Sequence, residues 1–186
     1  MKFIRFILSI AATATFYTAM AQEPVTPRLV VNIVVSSMRS DDIERYNANL
    51  SQGGFRRLAQ EGAYFTNASF DYMQTTTPVS LATLSTGAMP STHGVVADSW
   101  FDYVTNQRKY LINDDKEYSV NYSSGAGDHS PRQLIAQTLS DALLEQHPDS
   151  PIATVAIEPL SAIVMAGHVG EVYWMERNKT HWTTSS

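Results

Sequence analysis

The chain has 186 residues, no cysteine, and 13 basic against 18 acidic side chains for a formal net charge of −5. An acidic chain with no basic stripe lacks the electrostatic footprint that binding a phosphate backbone requires, which excludes nucleic acid as a partner. Without cysteine there are no disulfides, any metal would have to be held by oxygen and nitrogen ligands, and the length supports one compact domain.

Lys2 and Arg5 precede an apolar run from Phe6 to Tyr17, and Ala19-Met20-Ala21 before Gln22 has the small-x-small pattern of a cleavage site. Residues 1–21 therefore read as a secretory signal peptide, with a mature chain that starts near Gln22 and is periplasmic or secreted. The alternative is an N-terminal membrane anchor, but Thr13, Thr15 and Thr18 break the run, which falls short of the ~20 residues that span a bilayer. No later stretch is long and apolar enough to cross a membrane. Cleavage removes two basic and no acidic residues, so the charge moves to −7.

A leader, residues 22–28, brings the chain to Leu29-Val30-Val31-Asn32-Ile33-Val34-Val35. This near-continuous apolar run predicts a strand buried on both faces, as in a parallel sheet covered by helices. Ser36 to Asp42 then forms a loop at the strand's C-terminal end, where open α/β sheets bind ligands. Short helices are predicted from Ile43 to Tyr46 and from Gly53 to Gly62, and a second strand from Ala63 to Phe70. Trp100–Tyr103 and Lys109–Ile112 flank a turn at Thr105–Gln107 and predict a hairpin. Beyond a polar loop at Ser124–His129, Ser130 and Pro131 predict the start of a helix with Leu134, Ile135, Thr138, Leu139, Ala142 and Leu143 on one face. Pro151–Ile157 predicts another buried strand and Ala162–Ala166 a helix. Val172–Met175 and His181–Thr184 follow, on either side of a turn at Arg177–Lys179. Strands alternating with helices predict the α/β class.

The most informative stretch is DYMQTTTPVSLATLSTGAMPSTHG, from Asp71 to Gly94. Threonines before Pro78, an apolar run through Leu84, and Gly87 beyond it write both ends of a helix, with Thr77 as the predicted cap. A hydroxyl among the free N–H groups of a helix N-terminus also suits a nucleophile facing an anion. The local pattern is compatible with plain capping as well as with that chemistry. Walker, H-E-x-x-H and cysteine-pair motifs are absent, and none of the five histidines stands at i, i+4 from another, so no local metal clasp can be drawn.

In order, LVVNIVVSSMRSDDIERY, GGFRRLAQEGAYFTNASFDY, TTTPVSLATLSTGAMPSTHGVVADSWFD, SPRQLIAQTLSDAL and the segment ending in AGH resemble the N-terminal third of alkaline phosphatase superfamily enzymes. They look closest to the periplasmic threonine-nucleophile phosphatases, relatives of the nucleotide pyrophosphatase/phosphodiesterases. The resemblance implies a partial alkaline-phosphatase-like core over residues 29–186, a mostly parallel sheet with helices on both faces. It implies a small phosphate ester as substrate, two zinc ions, and Thr77 as the nucleophile that is phosphorylated and also contacts metal. It also implies that Thr77 lies beside the loop Ser36–Arg39.

Four positions depart from the family pattern. Ser36 stands where the family has a zinc-ligating aspartate, and a hydroxyl does not supply a carboxylate's charge to a dication. Asp98 stands at the asparagine position that contacts the phosphate, and Glu158-Pro159-Leu160 occupies the place of a Lys-x-Arg pair. The readings are thus a zinc-dependent hydrolase, truncated and weakly active or inactive, or a non-catalytic pseudo-phosphatase that binds a ligand or partner.

Overall fold

A computed structural model describes residues 27–114, 116–117, 119–120, 129–175 and 181–185. The expected signal peptide, the Asn178 turn and most of the Ser124–His129 loop lie outside these residues. The chain divides into two compact units, Met1–Arg39 and Ser40–Ser186.

In the first unit the apolar run forms no strand: Leu29, Val31 and Ile33 are exposed, as are Val34 and Val35. This corrects the expectation of a doubly buried strand. A β-branched run has the propensity for extended structure, but a strand exists only where a partner supplies the ladder, and that partner is not specified locally. Ser36 and Ser37 form a turn, with Ser37 in the left-handed region at φ 61°.

The second unit opens with helices α1 (Asp42–Arg45) and α2 (Phe55–Glu61), the latter ending at Gly62 as expected. Ala63–Phe70 is not a strand either; it turns at Thr66-Asn67, leaving Phe65 exposed. Helix α3 (Thr77–Thr86) ends at Gly87 in the left-handed conformation, and the short helix α4 (Pro90–His93) ends the same way at Gly94. Strands β1 (Ser99–Asp102) and β2 (Gln107–Tyr110) form the expected hairpin, Ser99 opposite Tyr110 and Asp102 opposite Gln107. Asp102 stabilises its turn: Oδ1 accepts from the Val104 amide and Lys109 pairs with Oδ2 at 2.6 Å.

The predicted helix from Pro131 begins eight residues later, as α5 (Leu139–Gln146). Two features override the Ser130-Pro131 start. Thr138 and Asp141 form a capping box, each side chain accepting from the other's backbone N–H, a device worth about 1 kcal/mol. Meanwhile residues before it spend their backbone groups elsewhere, the Ile135 amide on the His93 carbonyl and the Leu134 carbonyl on His168. Ser130 instead donates its hydroxyl to Asp114, which Arg132 also reaches at 3.2 Å.

The main sheet has the order β3-β6-β5-β4, with β3 Ser119–Val120, β4 Ala153–Ala156, β5 Glu171–Met175 and β6 Trp182–Ser185. β4 and β5 are parallel and joined by helix α6 (Pro159–Ala166), a βαβ unit; the β5–β6 and β6–β3 ladders are antiparallel. The α/β class is as expected, with the parallel pairing of the described strands carried by that one unit. β4 is half-buried rather than buried throughout: Thr154 and Ala156 turn inward while Val155 and Ile157 are exposed.

The core lies where α3 packs on α6. Val79, Leu81 and Ala82 of α3 meet Ala162, Ile163 and Val164 of α6, and Val95, Leu111, Ile112, Leu134 and Trp174 complete the cluster. Each fully buried large aliphatic contributes about 1.5–3 kcal/mol of transfer free energy, so this contact holds the second unit together.

Candidate active site at the start of helix α3

Thr77 is the first residue of α3 and Thr76, extended at ψ 159°, is the flanking residue. The cap position is therefore Thr76, a correction of one residue, and its side chain makes no capping hydrogen bond. The helix starts here because Pro78, buried in the first turn, has no N–H to leave unpaired, while the Ser80 amide returns to the Thr76 carbonyl at 2.9 Å. Residues 78 and 79 are buried and Thr77 is exposed. The result is a hydroxyl in solvent at the positive end of a ten-residue helix whose body is locked in the core.

Asp98 is exposed, just ahead of β1, its carbonyl accepting from the Leu111 amide. Glu158 is exposed and flanks the N-terminus of α6, with Leu160 in that helix's first turn. Thr77, Asp98 and Glu158 belong to one unit, and Thr77 and Glu158 stand at the starts of two helices that pack on each other. Ser36 belongs to the other unit, exposed in its turn.

Thr86-Gly87 and the P-x-x-H-G segment Pro90–Gly94, which end the stretch from Asp71 to Gly94, serve mainly as framework. Thr86 donates back to the Ala82 carbonyl and accepts from the Ala88 amide, closing α3 beside Gly87. Gly94 has φ 79°, and a Cβ there would meet Ile135 Cγ1 at 3.0 Å. His93 is fully buried. Its Nδ1 accepts from the Val95 amide at 3.1 Å, so the ring proton sits on Nε2 and donates to Thr83 Oγ1 at 3.1 Å. Burial pushes its pKa below the ordinary 6.5, in keeping with a neutral ring. Thr83 Oγ1 also accepts from Tyr72 Oη at 2.8 Å. In the sequence His93 stands out only as part of a motif, and Tyr72 and Thr83 do not stand out at all; a tyrosine, a threonine and a histidine separated by ten or more residues give no periodic signal.

A second polar cluster joins α5 to α6. His168 donates from Nδ1 to Asp141 Oδ2 and from Nε2 to the Leu134 carbonyl, both at 2.8 Å. With acceptors on both ring nitrogens the imidazole is doubly protonated and cationic. Burial alone would lower its pKa, but the Asp141 and Leu134 hydrogen bonds outweigh that and raise it. Burial likewise works to raise Asp141, and is outweighed by bonds from His168 and the Thr138 amide that lower it. Nε2 is occupied by a carbonyl, so this Asp–His pair is a structural clamp and has no free nitrogen for proton transfer.

Zinc does not fit this donor set. Among the described residues no three histidine, aspartate or glutamate side chains are grouped to hold a metal, and Thr77 and Ser36 offer neutral hydroxyls. No helix of the described residues is long and apolar enough to cross a membrane.

The sequence profile of the type I phosphodiesterase / nucleotide pyrophosphatase family matches residues 30–183. The chain is 33% identical over 162 residues to a protein named calcium-transporting ATPase from Myroides odoratus, covering 86% of this chain and 30% of that one. It is 32% identical over 163 residues to alkaline phosphatase PafA from Elizabethkingia meningoseptica, with the same coverage. It thus spans about a third of the length of these relatives. The crystal structure of wild-type PafA superposes with a TM-score of 0.84 at 30% identity, over 88% of this chain and 32% of that one. An equally similar structure is a PafA variant substituted at one threonine, one asparagine, one lysine and one arginine. Its threonine and asparagine have the same separation along the chain as Thr77 and Asp98 here.

Proposed function

Because the chain belongs to the type I phosphodiesterase / nucleotide pyrophosphatase family, within the alkaline phosphatase superfamily, we propose that Thr77 is the nucleophile position of a phosphate-ester hydrolase. The observation that carries the reading is the exposed Thr77 hydroxyl at the first position of a helix otherwise buried in the core. The substrate is a small phosphate ester. Export to the periplasm or beyond the cell follows from the signal-like residues 1–21.

The remaining groups oppose efficient turnover by this polypeptide. A transferring phosphoryl group is stabilised by donors and positive charge, and losing one such donor costs about 10²–10³ in rate. Here Asp98 and Glu158 present carboxylates, Leu160 is apolar and Ser36 is neutral. Hydrolysis is therefore expected hardly above background. These same substitutions favour the second reading, a non-catalytic binding domain on the same core.

The test is an assay of the purified chain with an aryl phosphate and an aryl phosphodiester, each with added zinc, beside Thr77→Ala. No zinc-dependent turnover is expected. Turnover abolished by Thr77→Ala would keep the nucleophile and overturn the inactivity; turnover untouched by it would remove Thr77 from the chemistry.

A further inference from the structure

We propose that the Tyr72–Thr83–His93 node is the device that positions Thr77. The inference rests on the reading of Thr77 as the functional hydroxyl. Pro78 and the Ser80 amide set the register of the first turn, but no side chain ties the entering chain to it, since Thr76 makes no side-chain capping bond and the residues from Met73 to Thr77 are exposed. The entering chain is instead tied down one step earlier. Tyr72, partly buried against the core and beside Phe70 with ring centroids 5.3 Å apart, donates its hydroxyl to Thr83 in the body of α3. His93, beyond the helix, donates to the same oxygen.

One threonine hydroxyl thus accepts from the segment before the helix and from the segment after it. With the Val95 amide holding the far side of the ring, His93 cannot release Thr83 by rotating without leaving a buried N–H unpaired. The four exposed residues between Tyr72 and Thr77 are short enough that the tyrosine's place limits where Thr77 can sit. Tyr72, Thr83 and His93 are positioning residues: they act on Thr77 through the backbone and touch no substrate.

The experiment is amide hydrogen exchange, resolved by NMR, on the full chain and on Tyr72→Phe, Thr83→Val, Thr83→Ser and the Tyr72→Phe/Thr83→Val double variant. Loss of the Tyr72 bond in Tyr72→Phe, or of both bonds to the hydroxyl in Thr83→Val, should speed exchange of the first-turn Ser80 amide, which is bonded to the Thr76 carbonyl, by about tenfold or more, with the β4–β5 amides unchanged. The double variant should match Thr83→Val alone, and Thr83→Ser, which keeps the hydroxyl, should restore slow exchange. Uniform acceleration across helix and sheet would make the node a general stabiliser and overturn the proposal, as would additive effects in the double variant. None of these readouts depends on turnover, so the positioning role and the nucleophile reading can fail separately.

Discussion

Two histidines, 75 positions apart in a chain with five, are held in opposite charge states by their surroundings. His93 sits in the core between one donor and one acceptor and is neutral; His168 lies at the α5–α6 junction between two acceptors and is cationic. The lesson is that hydrogen-bond partners, more than depth, decide the protonation state. Burial pulls both pKa values down, and only where a carboxylate and a carbonyl both accept is it overcome.

The largest expected effect sharpens the second region. Gly167 has φ 73°, and a Cβ on it would lie 2.1 Å from Thr138 Oγ1 and 2.8 Å from its Cγ2. Gly167→Ala should therefore push the α5 capping box off the end of α6 and cost about 3 kcal/mol, from backbone strain plus overpacking. A urea midpoint within error of the unsubstituted protein would show that the two helices are not docked this closely.

Next comes His93→Leu, which keeps volume and leaves the Val95 amide unpaired in the core. A loss of about 2 kcal/mol is expected, against about 1 kcal/mol or less for His168→Gln, whose side chain is 40% exposed and screened by solvent. Equal losses would break the contrast between core node and rim clamp.

The pH dependence separates the two more finely. The folded pKa of His93 is lowered, so its contribution is present in full above about 6.5 and is lost as pH falls through the folded value. That of His168 is raised, so its contribution is present below about 6.5 and is lost as pH rises through the folded value. Asp141, lowered from 3.8, adds stability above that value which is lost on further acidification. Urea midpoints measured from pH 4 to 9 should lose their alkaline decline in His168→Gln while keeping the acid one. An unchanged alkaline limb would mean that the ring is neutral at the clamp.

The smallest effect concerns the hairpin. The Lys109 hydrogen bond, with the Val104 amide, holds Asp102 at a pKa of about 2. In Lys109→Met the Asp102 resonances should titrate closer to 3.8 with the urea midpoint unmoved. A shifted midpoint would make this half-buried pair a structural element comparable to the two histidine sites.

Elements whose signals were short-range were legible. The glycine stops at Gly62 and Gly87, the Pro78 start and the hairpin around Thr105-Asn106 all depend on residues a few positions apart. The start of α5 was also written locally, in Thr138-x-x-Asp141, but the Ser130-Pro131 signal competed with it. What settled the competition was tertiary: His93 and His168 claim backbone groups of residues 134 and 135 that an earlier helix would have needed. Of the candidate site, the position of Thr77 near a helix start was legible, its exchange of roles with Thr76 was not, and the node behind it was invisible because Tyr72, Thr83 and His93 meet only in the folded chain.

The sequence by itself determined the superfamily, the α/β class, the helix ends set by proline and glycine, and the residue types at 36, 98, 158 and 160 on which the proposed inactivity rests, because each is a matter of residue type or near-neighbour spacing. Only the tertiary structure decided that the Leu29–Val35 run is exposed, that P-x-x-H-G is scaffolding around a neutral His93, and that Asp141 and His168 form a charged clamp. The physical reason is that strand pairing, burial and protonation depend on partners distant in sequence, and a side chain's local propensity carries no information about which partner the fold will bring to it.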